Sequence, residues 1–366
     1  MTKIFGFVAE FNPFHNGHKI FIDTIKQKYH PDVLIAVMSG NFVQRGDFSV
    51  LDKWDRAKLA VEYGVDLVVE LPTAYAVQPA ELFAKGALQL LNLLQVNTLV
   101  FGTETTIDFQ ELAVKMHQTN GDFEQDYHKS SAQNLTDYYQ SLGIDVSKQP
   151  NQLLGLNYVS QIIEQDFPIK IQTITRKKSD FSATRIRKRL TQAASIENLA
   201  PVLTQELLSQ GKLVTWDDYF PYLKYQLLNS SLPELKETYQ MVEGLEYKLQ
   251  KEVIKSDNFV QFVEQVKSKR YTMARLRRLM IYTLLNVKES EIYNAYKNPY
   301  LRILGFNSVG QNYLKSLKKM DLDLITRVGK KETKTLDLEI RADRIRQLVT
   351  GQEENFGKIP YMKGVN

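Results

Sequence analysis

Cysteine is absent from the 366 residues, which excludes disulfides, thiolate metal sites and a cysteine nucleophile as carriers of the fold or of any chemistry. A chain without cysteine is at home in a reducing cytoplasm. Long hydrophobic runs are also missing. The first apolar run, Ile4-Phe5-Gly6-Phe7-Val8, is too short for a secretory signal or a membrane span, so a soluble protein with no membrane partner is expected. There is no internal repeat and no low-complexity tract. What is present is ample material for a core, since 43% of the residues are apolar and 11% aromatic. A chain this long is expected to form two domains. The net charge of +5 permits a polyanionic partner without demonstrating one.

Strand and helix patterns alternate over the first hundred residues. Lys3–Ala9, Asp32–Met38, Asp66–Leu71 and Thr98–Phe101 read as buried strands, with His18–Tyr29, Lys53–Tyr63 and Pro79–Leu93 as the helices between them. Strands this apolar, joined by helices, predict a parallel sheet covered on both faces. The polar stretch Phe109–Leu142 reads as helical and Ile144–Pro150 as a connecting loop. A helix at Leu153–Glu164, a strand at Ile169–Thr175 and a helix starting near Ala183 follow. From about Ile196 the pattern turns helical almost throughout, with spacings such as Leu245, Leu249, Val253 and Ile254. Thr326–Thr335 reads as a small β element or a loop. The expected fold class is α/β, with a nucleotide-binding domain over residues 1–195 and a mainly α-helical domain over 196–366.

The segment Glu10-Phe11-Asn12-Pro13-Phe14-His15-Asn16-Gly17-His18 lies between the first strand and the first helix. In an open parallel sheet the carboxyl ends of the strands form the ligand crevice, and a helix N-terminus there offers N–H groups and a positive dipole end to phosphate. Two imidazoles with two residues between them, and Gly17 allowing close backbone approach, can stabilise charge developing on an α-phosphate and a departing pyrophosphate. His15 and His18 are therefore the candidate catalytic residues. A His-x-x-His pair alone serves a metal as readily as a phosphate, and a zinc protease motif is excluded by the spacing. Farther on, Ser182-Ala183-Thr184-Arg185-Ile186-Arg187 opens a helix after a polar loop. Ser182 and Thr184 offer hydroxyls at a helix N-terminus beside guanidinium groups, an assembly suited to β- and γ-phosphates.

These segments resemble the nucleotidyltransferase superfamily and, more closely, the bacterial tRNA(Met) cytidine acetate ligase family. The shared stretches are Gly6-Phe7-Val8-Ala9-Glu10-Phe11-Asn12-Pro13-Phe14-His15-Asn16-Gly17-His18 and Ala36-Val37-Met38-Ser39-Gly40-Asn41-Phe42-Val43-Gln44-Arg45-Gly46. Glu70-Leu71-Pro72, Phe101-Gly102-Thr103-Glu104, Pro150-Asn151-Gln152-Leu153-Leu154-Gly155 and Tyr222-Leu223-Lys224-Tyr225 carry the likeness over most of the chain. The resemblance implies that residues 1–195 form a Rossmann-like nucleotidyltransferase domain. It implies ATP as co-substrate, acetate as the acid activated to acetyl-AMP, and transfer of the acetyl group to N4 of the wobble cytidine of elongator tRNA(Met). It also places ATP contacts on Phe7-Val8-Ala9-Glu10-Phe11-Asn12-Pro13-Phe14-His15-Asn16-Gly17-His18-Lys19-Ile20 and on Gly102, Asn151 and Arg176. One departure is the loop from Arg176 to Ser182, which is shorter here than in related members. Arg45 is expected to face acetate or the acyl-adenylate over a backbone floor of Ser39, Gly40 and Asn41. Magnesium is expected because ATP chemistry needs charge neutralisation. Asp66 and Glu70 are candidate ligands for it or, equally, helix-cap partners.

Lys267-Ser268-Lys269-Arg270-Tyr271-Thr272-Met273-Ala274-Arg275-Leu276-Arg277-Arg278 places six cationic side chains in twelve residues. Read as one helix, it puts Lys267, Arg270, Arg275 and Arg278 forward as an RNA-binding set; a solvated helix face has the same composition. Two other readings stay open. A cofactor adenylyltransferase has no need of a basic helical appendage, and a non-catalytic RNA-binding protein has no need of both imidazoles. An aminoacyl-tRNA synthetase is disfavoured, because Ser182-Ala183-Thr184-Arg185 stands where a Lys-Met-Ser-Lys-Ser loop belongs. No protein partner is inferred.

Overall fold

The computed structural model describes residues 2–104, 109, 111, 150–175, 181–320 and 322–364. The expected polar helix and loop between 109 and 149, and Arg176, lie largely or wholly outside them. The chain runs β1 (Ile4–Ala9), α1 (Asn16–Tyr29) and β2 (Val33–Ser39), then a hairpin of β3 (Phe42–Val43) and β4 (Asp47–Phe48). Next come α2 (Lys53–Glu62), β5 (Leu67–Leu71), α3 (Thr73–Ala76), α4 (Ala80–Leu93), β6 (Thr98–Thr103), α5 (Pro150–Glu164), β7 (Lys170–Thr175) and α6 (Ala183–Thr191). Helices dominate the remainder: α7 (Val202–Gln210), α8 (Trp216–Asn229), α9 (Leu232–Lys236), α10 (Leu245–Ile254), α11 (Phe259–Val266), α12 (Met273–Leu284) and α13 (Glu289–Lys297). The chain closes with β8 (Leu301–Asn307), α14 (Ser308–Leu317), β9 (Leu324–Ile325), α15 (Asp337–Thr350) and β10 (Tyr361–Lys363).

The strand order is β10-β8-β5-β2-β1-β6-β7, with β9 paired to β8. The run β5-β2-β1-β6-β7 is parallel, as expected. β8, from the part of the chain that reads as helical, extends this parallel sheet: it pairs antiparallel with β5 and carries β9 and β10 parallel to itself. Leu301-Arg302-Ile303-Leu304-Gly305-Phe306 is a buried run of strand length between Pro299 and Asn307, the residue that caps α14. The sheet thus takes three strands from beyond residue 195. Alternate residues of β2 enter opposite cores: Val33, Ile35 and Val37 on one face, Leu34, Ala36 and Met38 on the other. The first core continues without a break from α4 into α8, α11 and α12, through Leu88, Leu223, Phe262 and Leu279. Helix α4 lies so close to β1 that a Cβ on Gly6 would stand 2.7 Å from Leu91 Cδ2. Among the described residues no helix is long and apolar enough to cross a membrane.

Candidate functional site

β1 is the strand at which the order reverses, with β2 on one side and β6 on the other. It pairs with β6 only at Phe5–Thr98 and Gly6–Leu99, so the carboxyl halves of the two strands part and leave the crevice such a switch point provides. The chain leaves β1 through Glu10 into a turn containing a cis Asn12–Pro13 peptide and Phe11 at φ 48°. A bulky aromatic in the left-handed region costs on the order of 1–2 kcal/mol. Packing holds it there, with the Phe11 ring 4.9 Å from Phe14 and 4.9 Å from His18. Asn12 ties the turn to the neighbouring loop, its Nδ2 donating to the Phe48 carbonyl at 3.1 Å and its Oδ1 accepting from the Val50 N–H at 2.9 Å. Within Phe7–Ile20 the side chains of Phe7, Phe11 and Phe14 belong to the core. Lys19 and Ile20 face outward, Lys19 pairing with Asp23 at 3.0 Å. Of this stretch, the turn from Glu10 to His18 is what borders the crevice.

His15 caps α1, and its ring lies stacked on His18 with centroids 3.7 Å apart and an angle of 20°. The His15 backbone N–H donates to His18 Nδ1 at 3.2 Å. That nitrogen therefore acts as an acceptor, which leaves Nε2 as the ring's N–H. Gly17 makes the stack possible: a Cβ there would stand 2.9 Å from His15 Cε1. Gly17→Ala is expected to push the His15 ring out of the stack and lower any phosphate chemistry at the turn at least tenfold with little change in melting temperature. Steady-state rates beside a thermal melt check this.

The second phosphate candidate is brought to the first. Ser182 caps α6, its Oγ accepting from the Arg185 N–H at 3.4 Å. The adjoining Phe181 Cβ is 3.3 Å from where a Gly17 Cβ would be, and Arg187 reaches from α6 to the Asn12 carbonyl at 2.5 Å. Two helix N-termini converge on one crevice, with Thr184 exposed beside it. Asn16 turns elsewhere, its N–H and Nδ2 donating to the carbonyls of Leu199 and Asn198 at 3.1 Å each. Gly102 lies near the carboxyl end of β6, opposite Ile174, and Asn151 in the first turn of α5.

The β2 side of the crevice is organised by a residue that local sequence gives no reason to single out. Arg56 is fully buried and donates to the carbonyls of Glu10 at 2.7 Å, Ser39 at 2.9 Å, Gly40 at 2.5 Å and Leu51 at 3.1 Å. Burial, with Arg346 adding to the effect, pulls its guanidinium down to about 10. Ser39 and Gly40 thus turn their carbonyls onto Arg56, while Arg45 is exposed at the rim. The hairpin carrying Arg45 is clamped to the helical part. Phe48 stacks on Tyr219 at 3.8 Å, Trp216 Nε1 donates to the Gly46 carbonyl at 3.1 Å, and Gly46, at φ 71°, lies so close to α12 that a Cβ would stand 2.4 Å from the Arg278 nitrogen.

Neither carboxylate proposed for magnesium fits that role. Asp66 stands before β5, at the opposite sheet edge, where it accepts from the Leu34 N–H at 2.8 Å and Asn307 Nδ2 at 2.7 Å. Glu70 lies between Lys53 at 2.9 Å and Arg302 at 3.4 Å. Among the described residues no group of three His, Asp or Glu is placed to hold a metal. Lys53 also binds Asp343 at 2.6 Å, and Arg346 binds Glu354 at 3.0 Å. Asn41 joins the two pairs, reaching Asp343 at 2.9 Å and Glu354.

The basic stretch is not one helix, which corrects the face drawn through it. Lys267 ends α11, Ser268 and Tyr271 form a tight bridge, and Thr272 caps α12 by accepting from the Arg275 N–H at 3.3 Å. Arg275 lies over the Tyr271 ring at 4.7 Å, and Arg270 is 3.5 Å from Glu243. Arg278 is withdrawn from the set, being 9% exposed with its Nη1 donating to the Gln44 carbonyl at 3.3 Å. Arg277, 3.8 Å from Asp47, continues the basic rim toward Arg45 instead.

Comparison with known proteins places the chain in a family. The family model described as HIGH Nucleotidyl Transferase matches residues 2–358. The tRNA(Met) cytidine acetate ligase of Latilactobacillus sakei is 39% identical over 98% of this chain and 97% of its own, and that of Lactobacillus gasseri 38% over 98% and 99%. The crystal structure of Thermotoga maritima TmcAL bound with alpha-thio ATP superposes with a TM-score of 0.89 at 27% identity, covering 100% of both chains. The chain belongs to the HIGH nucleotidyltransferase family, in the branch formed by the tRNA(Met) cytidine acetate ligases.

Proposed function

We propose that this chain is an ATP-dependent ligase that activates acetate as acetyl-AMP and passes the acetyl group to N4 of the wobble cytidine of elongator tRNA(Met). The observation that carries the reading is the His15–His18 stack at the N-terminus of α1, in the crevice beside β1, with the His18 proton held on Nε2. An acetate oxygen attacks the α-phosphorus, the bond to pyrophosphate breaks, and the charge that builds on the phosphate oxygens meets the imidazoles and the start of α6. Ser182, Thr184 and Arg176 serve the outer phosphates, Gly102 and Asn151 the nucleoside, and Arg45, with Ser39 and Gly40, the acid. Magnesium enters with the triphosphate and neutralises part of its charge. The ligase names of the relatives and the nucleotide in the Thermotoga structure support the same reading. Exchange of labelled pyrophosphate into ATP that depends on acetate, followed by acetate incorporation into elongator tRNA(Met), tests it. Exchange that ignores acetate would return the chain to the cofactor adenylyltransferases.

The tRNA lies along the rim formed by Lys267, Arg270, Arg275, Arg277 and Arg45, with Tyr271 available to stack on an unpaired base. Replacing Lys267, Arg270 and Arg275 with alanine is expected to weaken tRNA binding. Each lost phosphate contact should flatten the slope of log affinity against log salt by roughly 0.7–0.9. Acetate-dependent exchange should fall much less. A filter-binding salt titration with an unchanged slope would place the RNA elsewhere.

A further inference from the structure

The two half-reactions differ in one requirement. Acetate attacks as an anion and has no proton to lose, whereas the cytidine amine must shed one as it becomes an amide. His18 cannot take it in the geometry described, because Nδ1 is occupied by the His15 N–H and Nε2 carries the ring hydrogen. Most carboxylates at the carboxyl ends of β1, β2 and β5 are committed. Glu70 and Asp343 share Lys53, Glu354 holds Arg346, Asp47 faces Arg277, and Asp52 caps α2.

Glu10 is different. It is the first residue beyond β1, in the wall of the crevice, and its Oε1 accepts from the Gln44 N–H at 2.8 Å. Its other oxygen, Oε2, has no hydrogen-bond or ion-pair partner among the described residues. Three arginines surround it without pairing with it: Arg56 from α2, whose nitrogens are spent on carbonyls, Arg187 from α6, and Arg45 from the hairpin turn. The Glu10 charge also bears on the buried Tyr158 hydroxyl of α5. Burial raises the Glu10 carboxyl above the ordinary range, partly offset by the Gln44 N–H and the arginines. It is a carboxyl fixed by one oxygen with the other left over.

We propose that Glu10 is the general base of the acetyl-transfer step. The N4–carbonyl bond forms, the carbonyl–phosphate oxygen bond breaks, AMP leaves with the electron pair, and the amine proton passes to Glu10 Oε2. This assignment rests on the reading of the reaction given above and adds to it the group that makes the amine a nucleophile.

The test supplies synthetic acetyl-AMP and elongator tRNA(Met) in single turnover and measures acetate-dependent pyrophosphate exchange beside it. Glu10→Gln keeps an acceptor for the Gln44 N–H, and a melting curve confirms the fold. It is expected to lower transfer relative to exchange by about 10²-fold or more, within the span general bases supply, and to abolish the acid limb of the transfer pH profile. Glu10→Asp should retain that limb at a reduced rate. An equal fall in both half-reactions, transfer within a few-fold of wild type in Glu10→Gln, or a selective transfer loss in Glu104→Gln at the exposed acid after β6 would each overturn the proposal. Wild-type protein that neither exchanges pyrophosphate with acetate nor uses acetyl-AMP would overturn the reaction itself, a result distinct from these.

Discussion

Lys53→Met is expected to destabilise the protein by about 3–5 kcal/mol, the range found when one partner of a buried ion pair is removed. Lys53 is completely buried and its ammonium binds Glu70 at 2.9 Å and Asp343 at 2.6 Å. Without it, Arg302 alone must serve both carboxylates, from 3.4 and 3.7 Å. Burial by itself would raise Glu70, yet Lys53 and Arg302 hold it below the ordinary carboxylate range, while burial leaves Asp343 raised. In the variant both would rise. A carboxyl with a raised folded-state pKa favours the folded state most while it is protonated and loses that advantage as pH climbs through its folded pKa. The deficit in urea unfolding should therefore be smaller near pH 5 than near pH 8. A loss under about 1 kcal/mol that is flat with pH would show that Arg302 suffices. Asp343→Asn in the Lys53→Met background, which removes one stranded charge, should recover part of the loss.

His18→Ala is expected to lower adenylate formation by about 10²–10³-fold, the usual effect of removing one preorganised donor, or about 2.7–4 kcal/mol of transition-state stabilisation. Two things are lost together, the Nε2 donor and the acceptor for the His15 N–H that caps α1. His18→Asn separates them. Asparagine offers an oxygen near the place of Nδ1 and nothing at the place of Nε2, so helix capping, typically worth ~1 kcal/mol, should return while activity does not. Pyrophosphate release by stopped-flow and a thermal melt on both variants make the distinction. Activity restored in His18→Asn would mean that the ring serves only to shape the turn.

The strands and the phosphate turn were legible because each is encoded within a few residues: continuous apolar runs for β1, β2, β5 and β6, and the turn signal Asn12-Pro13 before His15-Asn16-Gly17-His18. The pairing of that turn with the Ser182 helix was legible as chemistry before it was visible as distance. What escaped has partners far away in the chain. Lys53 and Arg56 lie in a helix that was legible as a helix, but their burial depends on Asp343 some 290 positions on and on the carbonyls of Glu10 and Ser39. β8 lay hidden in a helical context with Arg302 interrupting its apolar run, a charge that only Glu70 and Asp343 make tolerable there. The break in the basic stretch did leave a local sign, since Thr272 is a good N-cap residue standing in the middle of the supposed helix. Arg278 left none, because its burial is set by how closely Gly46 approaches α12.

The antiparallel strand β8 also governs the order in which the protein can be made. By residue 71 the three strands β1, β2 and β5 have been translated, yet β5 keeps one backbone edge bare until Ile303, Gly305 and Phe306 arrive to pair with Val69, Val68 and Leu67. For the intervening two hundred or so residues of synthesis, at about 5–20 residues per second, the nascent chain carries an open, largely apolar strand edge of the kind that recruits other strands. Glu70, the one charge on that edge, must wait for Arg302 on the same late strand and for Asp343 later still to complete its surroundings. The growing chain thus spends on the order of ten seconds or more as a target for chaperones.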